Sequence, residues 1–99
     1  MSVNTGDLVE FEIVHGTWEK MVVVNPDCQN QDDPSVRHVI FRTFRKNKGK
    51  NFKKSAHIIK RPGWEKRIRI VEPDRYLVKH QPHIGYYDYE FLDKKKLNE

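Results

Sequence analysis

The chain has 99 residues, of which 36% are hydrophobic and 33% are charged, and it carries a net charge of +5. This length predicts a single domain, residues 1–99, with room for one core but not for a core plus a deep cofactor cleft. A single cysteine, Cys28, excludes an intrachain disulfide, and the longest apolar run is far shorter than the ~20 residues of a membrane helix. The N-terminal residues lack a signal-peptide pattern, so we expect a cytoplasmic protein, or a nucleoid or nuclear one if it acts in a DNA complex.

The N-terminal residues predict a β-hairpin. In residues 8–14, apolar residues alternate with Glu10 and Glu12, which is typical of a half-buried strand. A short turn containing Gly16 follows, and residues 19–24 form a second predicted strand. The three consecutive valines of this second strand predict burial on both faces or a central position in a small barrel.

The rest of the chain predicts further short strands separated by polar segments. Residues 25–35, bracketed by two prolines, predict a long polar loop, and residues 45–54 predict an exposed basic loop. The remaining predicted strands are residues 36–44, 56–60 (alternatively one helical turn), 66–71, 76–79 and 86–92. Residues 93–99 predict a charged tail or a frayed helical turn. No stretch has the apolar period of a helix, so the pattern indicates an all-β fold, a small barrel or a compact antiparallel β-sandwich with a long basic loop.

The first hairpin carries a family resemblance. Gly6-Asp7-Leu8-Val9, an acidic strand, a glycine turn and a valine-rich strand together resemble the start of SH3-like barrels of the KOW and Tudor kind. The resemblance covers about 25 of the 99 residues. It implies a five-stranded barrel that binds nucleic acid, nucleic-acid enzymes or peptides. The long loop after Val24 and the strands after Val71 are additions to a minimal barrel of that type.

The charge is strongly polarised along the chain. Residues 37–69 contain thirteen Lys or Arg residues and one acid, Glu65, so their charge is +12. Residues 1–36 sum to −6 and residues 70–99 to −1, which together give the net +5. Such a concentration of bases predicts a polyanionic partner, because phosphates attract Lys and Arg whatever the base sequence.

Nucleic acid, either DNA or RNA, is the first predicted partner. Aromatic side chains among the bases add stacking surface for unpaired nucleotides. The candidate nucleic-acid-binding residues are Arg42, Arg45, Lys46, Lys48, Lys50, Phe52, Lys53, Lys54, Trp64, Arg67 and Arg69. Two other interpretations stay open: contact with an acidic protein surface, and solvated charges that the acidic N-terminal residues neutralise.

A second functional class is a small adaptor or inhibitor that docks on a host protein, such as a viral or mobile-element protein that blocks a nucleic-acid enzyme. In that case the acidic hairpin with Glu10, Glu12 and Glu19 imitates phosphate, or the basic loop occupies an acidic surface. The sequence leaves the oligomeric state open.

Catalytic and metal-binding patterns are missing from the sequence. There is no P-loop, no G-x-S-x-G and no H-E-x-x-H, so we expect neither an enzyme nor a cofactor. His80 and His83 lack a neighbouring Cys pair, and the acidic loop with Asp27 lacks the EF-hand pattern, so we expect no metal. The aromatic stripe of Tyr87, Tyr89 and Phe91 favours a core role over a stacking platform.

Overall fold

The computed structural model describes residues 2–46, 53–84 and 88–97. Its elements confirm the all-β class. The strands are β1 (Leu8–Val14), β2 (Thr17–Gln29), β3 (Arg37–Lys46), β4 (Lys53–Ile59), β5 (Ile68–Glu72), β6 (Tyr76–His80) and β7 (Tyr89–Asp93). A 3₁₀ helix, Trp64–Arg67, precedes β5, and a one-turn helix, α1 (Lys94–Leu97), follows β7. Among the described residues, no helix has the length and apolar composition needed to cross a membrane.

Five strands form one antiparallel sheet in the order β4-β3-β2-β1-β5, and β6 and β7 form a separate two-stranded sheet. The burial on both faces predicted for the valine run is confirmed, since β2 lies in the middle of the sheet and Val22, Val23 and Val24 are buried. Within the described residues, β4 and β5 do not pair with each other, so the sheet does not close into a barrel. Each of these strands therefore keeps one free edge.

Strand β2 is longer than predicted, because residues 25–29 belong to it and not to the loop. Its pairing with β3 continues to Gln29 through two register shifts, on either side of Asn25. Cys28 is buried opposite His38, and this burial draws the polar segment into the sheet. The irregular pairing interrupts the ladder and bends the strand, and the remaining loop covers only residues 30–36.

Both faces of the central strands are buried, which gives two apolar clusters. Because side chains alternate along a strand, the odd-numbered and even-numbered residues of β1 and β2 enter different clusters. The first core contains Val3, Val9, Phe11, Met21, Val23, Val39, Phe41, Ile58 and Ile68. The second core, on the opposite face, contains Leu8, Val22, Val24, Cys28, Ile40, Tyr76 and Tyr89.

The β6–β7 hairpin covers the second core. Tyr89 is buried, Phe91 is partly buried, and the rings of Tyr76 and Phe91 meet edge to face with their centroids 5.1 Å apart. The core role predicted for the aromatic stripe is thus confirmed for Tyr89 and Phe91, whereas Tyr87 lies outside the described residues. This hairpin is the main addition to the five-stranded sheet.

Gly6 and Asp7 join the N-terminal residues to the C-terminal hairpin. Gly6 has φ +93°, its carbonyl accepts a hydrogen bond from the Tyr76 N–H, and a Cβ at Gly6 would overlap the Tyr76 carbonyl oxygen. The Asp7 side chain is buried, with 2% exposure, and its carboxylate accepts the N–H groups of Asn4 and Asp74 at 2.9 and 2.8 Å. A glycine is therefore required at position 6, and a carboxylate at position 7 satisfies two backbone donors.

Candidate nucleic-acid interface

The predicted basic loop is the end of the β3–β4 hairpin. Strand β3 extends to Lys46 and β4 begins at Lys53, and these two residues lie directly opposite each other in the antiparallel ladder. Both ends of the predicted loop 45–54 are therefore strand, which shortens the connection to residues 47–52. Those six residues, with the candidates Lys48, Lys50 and Phe52, lie outside the described residues. We refer to residues 46–54 as the hairpin end.

A bulge separates the hairpin end from the regular part of the hairpin. Between the pair Arg42–Ser55 and the pair Lys46–Lys53, β3 advances by four residues and β4 by two. Inside this bulge the Thr43 hydroxyl donates a hydrogen bond to the Arg45 carbonyl at 3.1 Å. Because bulges bend the strand that contains them and raise its local twist, we expect β3 to bend between Arg42 and Lys46.

The backbone register at the hairpin end pairs two lysines, Lys46 and Lys53. Like charges directly opposite each other on an antiparallel pair destabilise it, and Lys54 follows Lys53 immediately. On the neighbouring strand, the carboxylate of Glu19 is bound to Arg45, with 2.9 Å between Oε1 and Nε. Glu19 is therefore already engaged with one base of β3.

Arg42 does not lie on the predicted surface, which corrects its assignment as a phosphate contact. It is buried, with 6% exposure, because the alternation along β3 places it on the face covered by the β6–β7 hairpin. Its Nε donates a hydrogen bond to the Tyr89 carbonyl at 3.1 Å, and its Nη2 is 3.6 Å from a carboxylate oxygen of Asp88. Arg42 thus attaches the C-terminal hairpin to the central sheet.

Arg67 and Trp64 also have structural contacts. The Arg67 guanidinium donates to the Glu12 carbonyl from Nη2 at 2.7 Å and from Nε at 3.2 Å, and to the Ile13 carbonyl at 3.3 Å. Its central carbon lies 4.9 Å from the centre of the Phe11 ring. Trp64 is partly buried and packs against the first core. Both residues therefore hold the β4–β5 connection against β1.

Arg69 is exposed and stacks on an aromatic residue that was not among the predicted candidates. Its guanidinium carbon is 3.5 Å from the centre of the Trp18 ring, within the range of a cation–π contact. The register brings them together, since Glu12 pairs with Trp18 on one side of β1 and Glu10 pairs with Arg69 on the other. The alternation within β1 and within β5 can be predicted from the sequence, but the pairing of these two strands cannot. The sequence therefore did not predict this contact.

The acidic N-terminal residues neutralise part of the basic segment. Asp27 binds Arg37 at 3.0 Å and Lys60 at 3.1 Å, and the hydrogen bonds from Arg37 and then Lys60 lower the pKa of Asp27 to about 2. In contrast, Arg61, Lys66 and Arg69 form no ion pair among the described residues. Among the candidate bases, three arginines are bonded within the fold and one stacks on Trp18, namely Arg42, Arg45, Arg67 and Arg69. The candidate lysines all belong to the hairpin end.

Two grooves adjoin β4. One, of about 570 Å³, lies where the sheet does not close and is lined by Phe11, Ile13, Ser55, Ala56, His57, Ile58, Ile59, Arg61 and Arg67. The other, of about 350 Å³, lies on the opposite face of the β3–β4 hairpin and contains His38 and His57, whose ring centres are 5.5 Å apart. Burial, with smaller effects of His57 and Arg37, lowers the pKa of His38.

The described residues contain no group of three or more His, Cys, Asp or Glu side chains placed to hold a metal ion. His80 stacks on Tyr89 with ring centres 4.3 Å apart, and the buried Cys28 thiol donates a hydrogen bond to the Gln29 carbonyl at 3.6 Å. These side chains therefore have packing roles. Comparisons with protein-family models, with curated proteins and with solved structures gave no match.

Proposed function

We propose that this chain is a non-catalytic nucleic-acid-binding protein that contacts the phosphate backbone through the hairpin end. The observation that carries the proposal is the direct opposition of Lys46 and Lys53 in the β3–β4 ladder. Opposed like charges cost stability, and residues that destabilise a fold are typical of binding surfaces. A phosphate between the two strands would relieve their repulsion.

The distribution of acids supports the same proposal. Several carboxylates outside the hairpin end are already bound to bases: Asp27, Asp88, Glu72 and Asp93 pair with Arg37, Arg42 and Arg75. These carboxylates therefore have partners other than the lysines of the hairpin end. Neutralisation of phosphates by such lysines releases condensed counterions and favours binding without reading base sequence.

We further propose that the chain is a variant of the SH3-like barrels that its first hairpin resembles. Five strands in one sheet, with β5 returning beside β1, support this relationship. The β6–β7 hairpin on the outer face and the unpaired edges of β4 and β5 distinguish the chain from a closed five-stranded barrel.

A salt titration of binding to random duplex DNA, random single-stranded DNA and random RNA tests the proposal. The logarithm of the association constant should fall linearly with the logarithm of salt concentration, with a slope near −0.9 per phosphate neutralised on a duplex and near −0.7 on a single strand. A protein that engages about five phosphates would therefore give a duplex slope of about −4.5. No binding even at low salt to any of the three probes would refute the proposal.

A charge-matched pair of variants localises the contact. The triple substitution Lys48→Glu, Lys50→Glu and Lys53→Glu changes the hairpin end, whereas Lys94→Glu, Lys95→Glu and Lys96→Glu changes the C-terminal lysines by the same charge. Each triple variant lowers the net charge by six, from +5 to −1. The first should abolish binding and the second should weaken it only through the smaller net charge. Equal losses would show that the hairpin end has no special role.

A second candidate function, an adaptor that binds another protein, is supported by the groove at the open side of the sheet. Apolar side chains line its floor, and Arg61 and Arg67 are its charged lining residues. The free edge of β4 would accept an extended acidic segment as an additional strand. Binding of that kind keeps most of its affinity at high salt, so the same salt series separates the two functions.

A further inference from the structure

The outer face of the β6–β7 hairpin exposes two leucines side by side. Leu77 and Leu92 are directly opposed in the β6–β7 ladder, and they are 51% and 57% exposed. The next pair on the same face, Lys79 and Glu90, is exposed as well. The inner face of this hairpin already covers the second core. Within the described part of the chain, its outer face is therefore an unpartnered sheet face with an apolar centre and one charge of each sign.

We propose that this face binds a second copy of the chain, with the two-fold axis running parallel to the strands. A rotation about such an axis exchanges the two strands of the facing hairpin and keeps the position along them. Leu77 then lies over the partner's Leu92, and Lys79 lies over the partner's Glu90. The register of β6 with β7 therefore makes the face complementary to itself.

The charges favour a second copy over an acidic or a basic partner. A basic partner would place a like charge over Lys79, and an acidic partner would place a like charge over Glu90. A second copy instead places its Glu90 over Lys79 and its Lys79 over Glu90. Among the described residues, Lys79 and Glu90 do not form an ion pair with each other, although they lie opposite. The next bases along the hairpin, Arg75 and Lys94, are bound to Glu72, Asp93 and Asp74, so they add little net repulsion.

Sedimentation equilibrium of the full chain over a wide concentration range tests this contact. The expected mass rises with concentration from 11.9 kDa to twice that value. Leu92→Lys should raise the dissociation constant of the dimer by more than about tenfold, because it places an ammonium group in the apolar centre. Val14→Lys is the matched control, since Val14 is a 62% exposed apolar residue of β1, and it should change nothing. A monomer at every concentration, or a dimer that Leu92→Lys leaves intact, would overturn the proposal.

Mixing two charge variants tests the orientation. Lys79→Glu gives the face two carboxylates and Glu90→Lys gives it two ammonium groups, so each variant alone should remain monomeric. Mixed in equal amounts, the two should form a heterodimer with an affinity near that of the unaltered chain. Dimer formation in the mixture cannot come from ion pairing within one hairpin. If the mixture formed no heterodimer, the proposed axis would be excluded. The outcome is independent of nucleic-acid binding, because no residue of the hairpin end is changed.

Discussion

Five of the six arginines in residues 37–69 have defined partners in the fold, whereas five of the seven lysines belong to the hairpin end. Arg42 and Arg67 bind backbone carbonyls, Arg37 and Arg45 bind carboxylates, and Arg69 stacks on an indole ring. The lysines are concentrated at the hairpin end, where Lys46 and Lys53 are opposed. One basic segment of the sequence thus supplies both internal connections and the lysines of the hairpin end.

The two side chains suit these roles for chemical reasons. A guanidinium presents several donors in a fixed plane, so it can bind two acceptors at once and stack on a ring. An ammonium group is a compact, strongly hydrated charge on a flexible stem, which suits contact with a phosphate backbone rather than burial. Substitutions should therefore separate the two groups, with arginine changes reducing stability and lysine changes reducing binding.

Loss of Arg42 should have the largest effect on stability. Arg42→Ala removes a buried charged donor from the Tyr89 carbonyl and the partner of Asp88, so we expect the free energy of unfolding to fall by about 2–4 kcal/mol. Urea denaturation followed by circular dichroism measures this change. Lys66→Ala, at an exposed position without an ion pair among the described residues, should stay within about 0.5 kcal/mol of the unaltered chain. A loss of less than about 0.5 kcal/mol for Arg42→Ala would show that Arg42 does not stabilise the fold.

Arg67→Lys should have the next largest effect. A lysine can donate to one carbonyl but cannot reproduce the forked contact with Glu12 and Ile13, so we expect a loss of about 1–2 kcal/mol. Arg61→Lys is the matched control, because Arg61 is exposed and forms no ion pair among the described residues. Equal stability of the two variants would indicate that the guanidinium geometry at residue 67 is unimportant.

Much of the fold follows from the sequence, whereas the roles of the arginines do not. The alternation in residues 8–14 and the valine run predict β1 and the central β2, because strand period and burial are local properties. The partners of Arg42, Arg67 and Arg69 are distant in the chain and depend on which strands become neighbours. Without that pairing, a basic residue in a strand has the same local pattern whether it faces solvent or a carbonyl.

The long loop prediction failed for a related reason. Residues 25–29 have the proline, Pro26, and the polar side chains typical of a loop, but burial of Cys28 and the ion pairs of Asp27 hold them in β2. The buried Asp7 was also missed as a structural residue, since its two backbone donors come from Asn4 and Asp74. In both cases a contact with a later part of the chain overrides the local composition.

Lowering the pH should weaken the carboxylate contacts and reduce the free energy of unfolding, by less than the Arg42 and Arg67 substitutions do. Hydrogen bonds from arginine lower the pKa of Asp27 and of Asp93 to about 2, below the value near 3.9 of an unfolded chain. A lowered folded pKa gives stability that is present above about pH 4 and is lost as the pH falls toward about 2. The Asp27 side chain is 54% exposed, so its share is modest. Asp27→Asn should flatten the decline in unfolding free energy over this range, and an unchanged decline would contradict the assignment.

The smallest expected change is an increase in stability, and it tests the difference between the arginines and the lysines most directly. Lys53→Glu replaces two opposed lysines with an opposite-charge pair, so the free energy of unfolding should rise by about 0.2–1 kcal/mol. The same substitution should weaken binding to random DNA or RNA, because it removes one phosphate contact and adds a repulsive charge. Lys96→Glu, with the same change in charge in α1, should leave stability within about 0.5 kcal/mol. A gain in stability together with a loss of binding would show that the hairpin end gives up stability for contact with a polyanion. A gain in stability with unchanged binding would confirm the register but place the phosphate contact elsewhere in the chain.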